Sequence, residues 1–454
     1  MRGQLVQVTS ALSRDFRNSR VLRDGAWVFC GRTLTGVINI ATGALLARLL
    51  SPDLFGAYFL ILGVTTILAV LAQGGVSQIA LRAIARAMGV GRLDEARAVA
   101  ARALQLVLAC ALLIGGIAAS VGSWFSSDFL DSAVPIAVVW IASVWVIPIA
   151  LQCLLGEVFR GFHDIRGSTV FGGLLAALVS FVVLGAYWLV VESARLSEVI
   201  VLVVGAHTLC MIAGAVALHR RISKLPLASG GPIAFTLDDT IPFVAYHLSL
   251  VALAQADVLA IGMFRSHEEV AAYAAAAKLV TIVALPLWVL NAVVLPVIAQ
   301  YNAQGRMQEL ECILRTGATW AGLFALTVFA VYAIAGGEIL NAFFGPFYAA
   351  GWTPLLLLAS GQLANVLTGS CGPLLAMAGH HRVIMWITVS FGSLTVAAAV
   401  LAAPVYGATA VAAIWALSLI IQNLVTLVVA RRLTGIWTHV LVSPLWWRGA
   451  RDRK

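Results

Sequence analysis

Three ionisable side chains stand inside long apolar runs: Arg32, Asp257 and Lys278. A charge at mid-helix costs at least about 2.5–3.5 kcal/mol by insertion scales, so it persists where it has a partner or a task. Arg32 is followed by Thr35, Asn39 and Thr42 at i+3, i+7 and i+10, which places all four on one helix stripe. Lipid would penalise that stripe, so it is expected to face an internal cavity. The planar guanidinium of Arg32 suits a phosphate. The competing reading is an arginine that snorkels to the nearby membrane surface. Lys278 offers a compact cation to a diphosphate or a sugar acid. Asp257 could exchange a proton or bind a monovalent cation, or be locked in a static ion pair with Lys278 or Arg265. Arg48 and Arg265, at the outer ends of their apolar runs, could hold an anionic head group or serve as interfacial anchors.

These groups need helices to position them, and the chain supplies little else. It has 454 residues, 61% hydrophobic and 11% charged, with a mean hydropathy of +0.98. A soluble chain carries about 25% charge. Twelve apolar segments are long enough to cross a bilayer: 26–50, 56–80, 103–121, 133–154, 169–191, 199–218, 241–263, 270–298, 316–335, 352–377, 383–403 and 408–430. Continuous rather than alternating hydropathy argues for helices over a β-barrel. The predicted fold class is therefore an all-α polytopic membrane protein.

Lys and Arg fall in alternate loops. Arg14, Arg17, Arg20 and Arg23 share a side with Arg82, Arg86, Arg92, Arg97, Arg160, Arg220, Arg306 and Arg431, and the opposite side holds Asp53, Glu192, Glu268 and Glu338. The positive-inside rule then places both termini in the cytoplasm and the chain in the plasma (inner) membrane. The net charge of +9 follows from this rule and from anionic lipid; it does not imply nucleic acid. The arm 1–25 is charged and precedes a full span, unlike a cleavable signal. It reads either as an amphipathic surface helix or as a tail that enforces topology. The six cysteines lack metal spacing, and no metal is expected.

The chain also repeats itself. Ser51-Pro52-Asp53 and Ala57-Tyr58 recur as Ser266-His267-Glu268 and Ala272-Tyr273. Gly91, Arg92 and Glu95 recur as Gly305, Arg306 and Glu309, and Gly161 and His163 as Gly379 and His381. In order and at near-constant offset, these matches predict two six-helix pseudo-repeats around a central cavity. The boundaries are a cytoplasmic arm 1–25, a bundle 26–219, a linker 220–240, a bundle 241–431 and a tail 432–454. The repeat aligns Arg32 with His247 and Thr42 with Asp257, which adds His247 to the ion-coupling candidates. Gly74-Gly75, and Pro286 with Pro296, mark helices that could bend or carry static kinks.

The run Leu45 to Tyr58 (LLARLLSPDLFGAY), the Gly91-Arg92 loop and the 6+6 layout resemble polysaccharide-type, Wzx-like flippases of the multidrug/oligosaccharidyl-lipid/polysaccharide exporter superfamily. The resemblance covers roughly Ala26 to Arg432. It implies a non-enzymatic transporter that moves a polyprenyl-diphosphate-linked oligosaccharide to the outer leaflet, for exopolysaccharide, capsule or O-antigen (lipopolysaccharide) biosynthesis. A polysaccharide polymerase and a chain-length regulator are the protein partners to consider, beside membrane lipids. The alternative within the superfamily is a proton- or cation-coupled multidrug antiporter. Arg32 and Lys278 against Asp257 favour an anionic cargo. No GxxxxGK[ST], HExxH or CxxC motif is present, so enzyme chemistry has no visible machinery. No cofactor is expected beyond a coupling proton or monovalent cation, and one chain should enclose the cavity as a monomer.

Overall fold

The computed structural model describes residues 20–129, 135–191, 193–226, 251 and 254–441. Every regular element among them is helical. The first set comprises α1 (Arg20–Leu49), α2 (Pro52–Gln73), α3 (Val76–Gly89), α4 (Leu93–Phe129), α5 (Ile136–Gly161) and α6 (Ile165–Thr169). A π-helical turn (Val170–Leu174) continues α6 into α7 (Leu175–Trp188), followed by α8 (Leu196–Ile222). The second set comprises α9 (Ala254–Phe264), then α10 (His267–Ala303), α11 (Met307–Phe344), a 3-10 turn (Pro346–Gly351), α12 (Trp352–Thr368), α13 (Cys371–Met377) and α14 (His381–Thr434).

Local sequence explains the starts. Ser51 caps α2 by accepting from the Leu54 amide, and Pro52 occupies the first turn, where no amide is needed. Ser266 caps α10 in the same way, accepting from the Glu269 amide. Gly91 and Gly305 both turn the chain with positive φ, and each is followed by an ion pair, Arg92–Glu95 or Arg306–Glu309. The third expected match shifts. The left-handed residue after α5 is His163 (φ 57), while the one after α13 is Gly379 (φ 92). His163 and Gly379, rather than Gly161 and Gly379, are therefore the turn equivalents. Asn, Asp and His tolerate this region better than most non-glycine residues, so a glycine match is a poor guide here.

Among the described residues nine helices are long and apolar enough to span a bilayer, or ten with the bent pair α12–α13. The expected number was twelve, and two segments account for the difference. α14 has 54 residues, about 80 Å at 1.5 Å per residue, enough for two crossings of a 30 Å core. Its backbone leaves helical geometry at Gly407 (φ 68, ψ −161), between the expected spans 383–403 and 408–430. The expected span 241–263 is described only in its second part, as α9. The anticipated bends also differ in kind. α2 stops at Gly74-Gly75, both left-handed, whereas α10 runs as one helix through Pro286 and Pro296.

Breaks in a helix leave backbone groups that need substitute hydrogen bonds. At Gly407 the Arg265 guanidinium donates to the carbonyls of Ala403 (3.0 Å) and Val405 (3.2 Å), while Glu269 accepts from the Ala408 amide (2.6 Å). At the 48° bend between α12 and α13 the chain after α14 folds back. The Val440 amide donates to Leu367 O (3.0 Å) and the Thr438 hydroxyl to Thr368 O (2.8 Å).

The core is divided unevenly. One buried cluster joins both sets, from Ile40–Ile61 and Val199–Val204 to Val258–Val283 and Leu340–Ala359. It lies toward the Ser51 and Ser266 turns. Toward the Gly91 and Gly305 turns there are two separate clusters: Ala69–Ala111 with Val146–Phe162, and Val294–Leu314 with Leu374 and Ala430. The sets meet through α1 and α2 on one side and α10 and α11 on the other. The molecule is thus sealed at the Ser51 end and splayed at the Gly91 end.

Gly407 supplies a direct check. A Cβ there would lie 2.1 Å from Glu269 Oε1, on a backbone that disfavours side chains. Gly407→Ala is expected to destabilise by about 2–4 kcal/mol, read as a lowered Tm in detergent. Gly89→Ala, at a helix end with open space around it, should leave Tm unchanged or slightly raised.

Candidate functional site

α1 has two exposed faces. Trp27, Cys30, Leu34 and Val37 are exposed along one stripe, the lipid face. Arg32 and Asn39 are also exposed but lie nearly opposite at 100° per residue, with half-buried Thr35 and Thr42 beside them. A helix exposed on opposite faces borders lipid on one side and a cleft on the other. The threonine hydroxyls are satisfied within the helix, donating to Gly31 O and Ile38 O (2.8 Å each). Arg32 and Asn39 have no hydrogen-bond or ion-pair partner among the described residues, so they are the free polar groups of the stripe.

α10 runs antiparallel to α1 and packs against it beside this cleft. Gly43 adjoins Lys278 and Phe344, and Gly36 adjoins Leu285, which sets the register. Lys278 therefore sits deep, toward the sealed end, with its ammonium 5.1 Å from the centre of the Phe59 ring. Its ion-pair distance holds no carboxylate among the described residues. Arg32 lies eleven residues from Gly43, about 16 Å nearer the splayed end. The two cations mark different depths of one cleft and do not converge on a single small anion.

Asp257 is buried, and its partner is a hydroxyl. Tyr273 donates to Oδ2 (2.8 Å) and the Val258 amide to Oδ1 (2.8 Å). No ion pair with Lys278 or Arg265 is present among the described residues. Arg265 is instead engaged at the Gly407 break, 3.7 Å from Glu269, and Arg48 donates to Ala342 O (3.1 Å). Both arginines tie helices together at the sealed end and stand apart from Arg32 and Lys278. His247 lies outside the described residues.

Other cleft residues escaped the sequence reading. In α5 the exposed residues Ile136, Trp140 and Val144 form a lipid stripe, but Cys153, nearer the splayed end, is exposed on the opposite side. Glu157 and Arg160 continue its stripe and pair at 3.0 Å. A polar pattern at i, i+4 and i+7 was visible in the sequence, but ending the span at 154 hid Glu157, which lies within the spanning helix Ile136–Gly161. In α10, Trp288 is 52% exposed and level with Arg32 by the register above. The described residues hold no group of three His, Cys, Asp or Glu able to bind a metal. The cleft thus presents an amide and, at different depths, two cations without an ion-pair partner among the described residues, a surface suited to an anionic ligand with polar substituents.

The splay predicts a labelling pattern. In a variant with Cys153 as sole cysteine, a membrane-impermeant maleimide should react from the side of the Gly91 loop and be excluded from the Ser51 side. Labelling from the Ser51 side only would mean that the cleft opens the other way.

Comparison with known proteins agrees with this architecture. The lipid II flippase MurJ in an inward closed conformation superposes with a TM-score of 0.67 at 11% identity, over 89% of this chain and 87% of that one. An inward-facing multidrug resistance MATE family transporter of the MOP superfamily gives 0.62 at 16% identity, over 88% and 95%. A MOP superfamily transporter from Pyrococcus furiosus, described as having a binding pocket of reverse polarity, gives 0.61 at 15%, over 91% and 95%. At such identities the likeness is one of fold. No curated protein matches the sequence. The profile of polysaccharide biosynthesis proteins matches residues 21–302, more than half of the chain, and the protein belongs to that family.

Proposed function

We propose that the protein is a flippase for a polyprenyl-diphosphate-linked oligosaccharide used in cell-surface polysaccharide synthesis. The observation that carries this reading is the pair of cations, Arg32 and Lys278, without an ion-pair partner among the described residues and on the walls of a cleft in a polysaccharide biosynthesis protein. A sugar diphosphate cannot cross hydrocarbon alone. A polar cleft removes that barrier while the lipid tail stays in the bilayer. In this reading Arg32 meets the diphosphate near the mouth, Asn39 and Trp288 contact sugar, and Lys278 receives the charge deeper in. The basic loops face the cytoplasm, so the splayed end is the entry side. An anion leaving an inside-negative cell moves downhill by about 2.3 kcal/mol per charge per 100 mV.

Asp257, buried and held by Tyr273, is the candidate for coupling to a proton or monovalent cation; such coupling is a second layer, not required by the charge movement. The chain works as a monomer of two bundles, beside a polymerase and a chain-length regulator. The rival is a multidrug antiporter, for which the similarity to a multidrug resistance transporter speaks. Cationic drugs would meet Arg32 and Lys278 in this cleft, which favours the flippase.

Depleting the protein should make a polyprenyl-diphosphate oligosaccharide accumulate in the inward leaflet, read by mass spectrometry of total lipid and lectin accessibility. An unchanged lipid pool with lost drug efflux would establish the antiporter instead. Arg32→Ala with Lys278→Ala should abolish glycan export at equal protein abundance; wild-type export would remove both residues from the mechanism.

A further inference from the structure

The seal at the Ser51 end combines the apolar core shared by both sets with a small polar contact at its rim. α2 and α10 both begin there, and their backbones touch: a Cβ on Gly56 would lie 1.8 Å from the His267 carbonyl oxygen. The His267 imidazole, only 7% exposed, holds Nδ1 3.3 Å from Asp53 Oδ1. Beside them Phe55 of α2 meets Tyr348 of the 3-10 turn edge-on, with ring centres 5.2 Å apart. The Tyr348 hydroxyl is buried without a partner among the described residues.

The connector from Arg265 to Glu269 faces two ways. Through His267 it grips α2. Through Arg265 and Glu269 it caps both sides of the Gly407 break. Movement of α2 away from α10 must break the Asp53–His267 contact, and a shift of the connector must disturb the caps at Gly407. The geometry has the features of a closure made to open. The ion pair has one solvent-exposed partner, Asp53, whose side chain is 45% exposed, and screening weakens such pairs. The buried Tyr348 hydroxyl regains water only when the two sets part, which lowers the cost of parting.

We propose that Asp53, Gly56 and His267 form a latch that holds the Ser51 end shut, and that the latch opens and re-forms in every transport cycle. The contact is an approach of Nδ1 to the carboxylate, an ion pair when the imidazole carries both ring protons. This concerns which end opens and by which contact. It rests on the transport reading only for the export assay, and its first readout needs no substrate.

The test uses the full-length protein in two cysteine backgrounds. With Cys153 as sole cysteine, Asp53→Asn or His267→Gln should lower labelling from the Gly91 side by at least about three-fold, as the population shifts toward opening at the Ser51 end. The exchange Asp53→His with His267→Asp should restore it. A simple folding defect would lower protein yield and would not be repaired by exchange. In a cysteine-free parent that exports glycan, Asp53→Cys with His267→Cys should cross-link under mild oxidation, stop export, and regain it on reduction. Unchanged Cys153 labelling, absence of a cross-link, or export at the parental rate by the cross-linked protein would each overturn the latch. If the parent exports no glycan, the transport reading fails, and the labelling arm alone decides the latch.

Discussion

Where Gly56 lets the backbone of α2 rest on the His267 carbonyl, the two helical sets come as close as chains can. From that contact they diverge, sharing one apolar core beside it and none toward the far end. The consequence is a set of helices with two exposed faces, one toward lipid and one toward a cleft. A charged side chain in a membrane helix is tolerable only on the second. The placement of Arg32 and Lys278 therefore follows from the closure at the other end of the molecule, and moving the closure would rebury or re-expose them.

Much of this was legible in the sequence, for physical reasons. The apolar runs and basic loops are forced by the bilayer, and the described helices follow them. The stripe of Arg32, Thr35, Asn39 and Thr42 was legible because a helix repeats every 3.6 residues, and the structure sets Arg32 and Asn39 on the face opposite Trp27, Leu34 and Val37. Partners were not legible. Asp257 could have met Lys278 or Arg265; it meets Tyr273, one of the repeat markers, because only tertiary packing decides which of several reachable donors arrives. Glu157 was missed because hydropathy ends a span where charge begins, although a helix continues past the hydrocarbon edge. The breaks divide by residue. Gly74-Gly75 could be anticipated, whereas Gly407 looks like any other glycine until its capping partners, remote in sequence, are in place.

The polarity of the cleft separates the readings that the fold leaves open. Transporters of one architecture carry unlike cargo by changing a handful of wall residues. Here the charged groups without an ion-pair partner among the described residues of the cleft are cationic, the carboxylate on the α5 wall is neutralised by Arg160, and Asp257 is buried against the Tyr273 hydroxyl. Arg32 and Lys278 at different depths suit a charge that travels, handed from one cation to the next, better than one bound at a single point.

The most direct test is transfer in vesicles holding only the purified protein. A polyprenyl-diphosphate oligosaccharide in the leaflet facing the Gly91 loop should become accessible to an impermeant lectin on the far side. An inside-negative potential should speed its passage, and loss of Arg32 and Lys278 should stop it. Transport of a cationic dye with no movement of the glycan lipid would contradict the assignment of an anionic cargo.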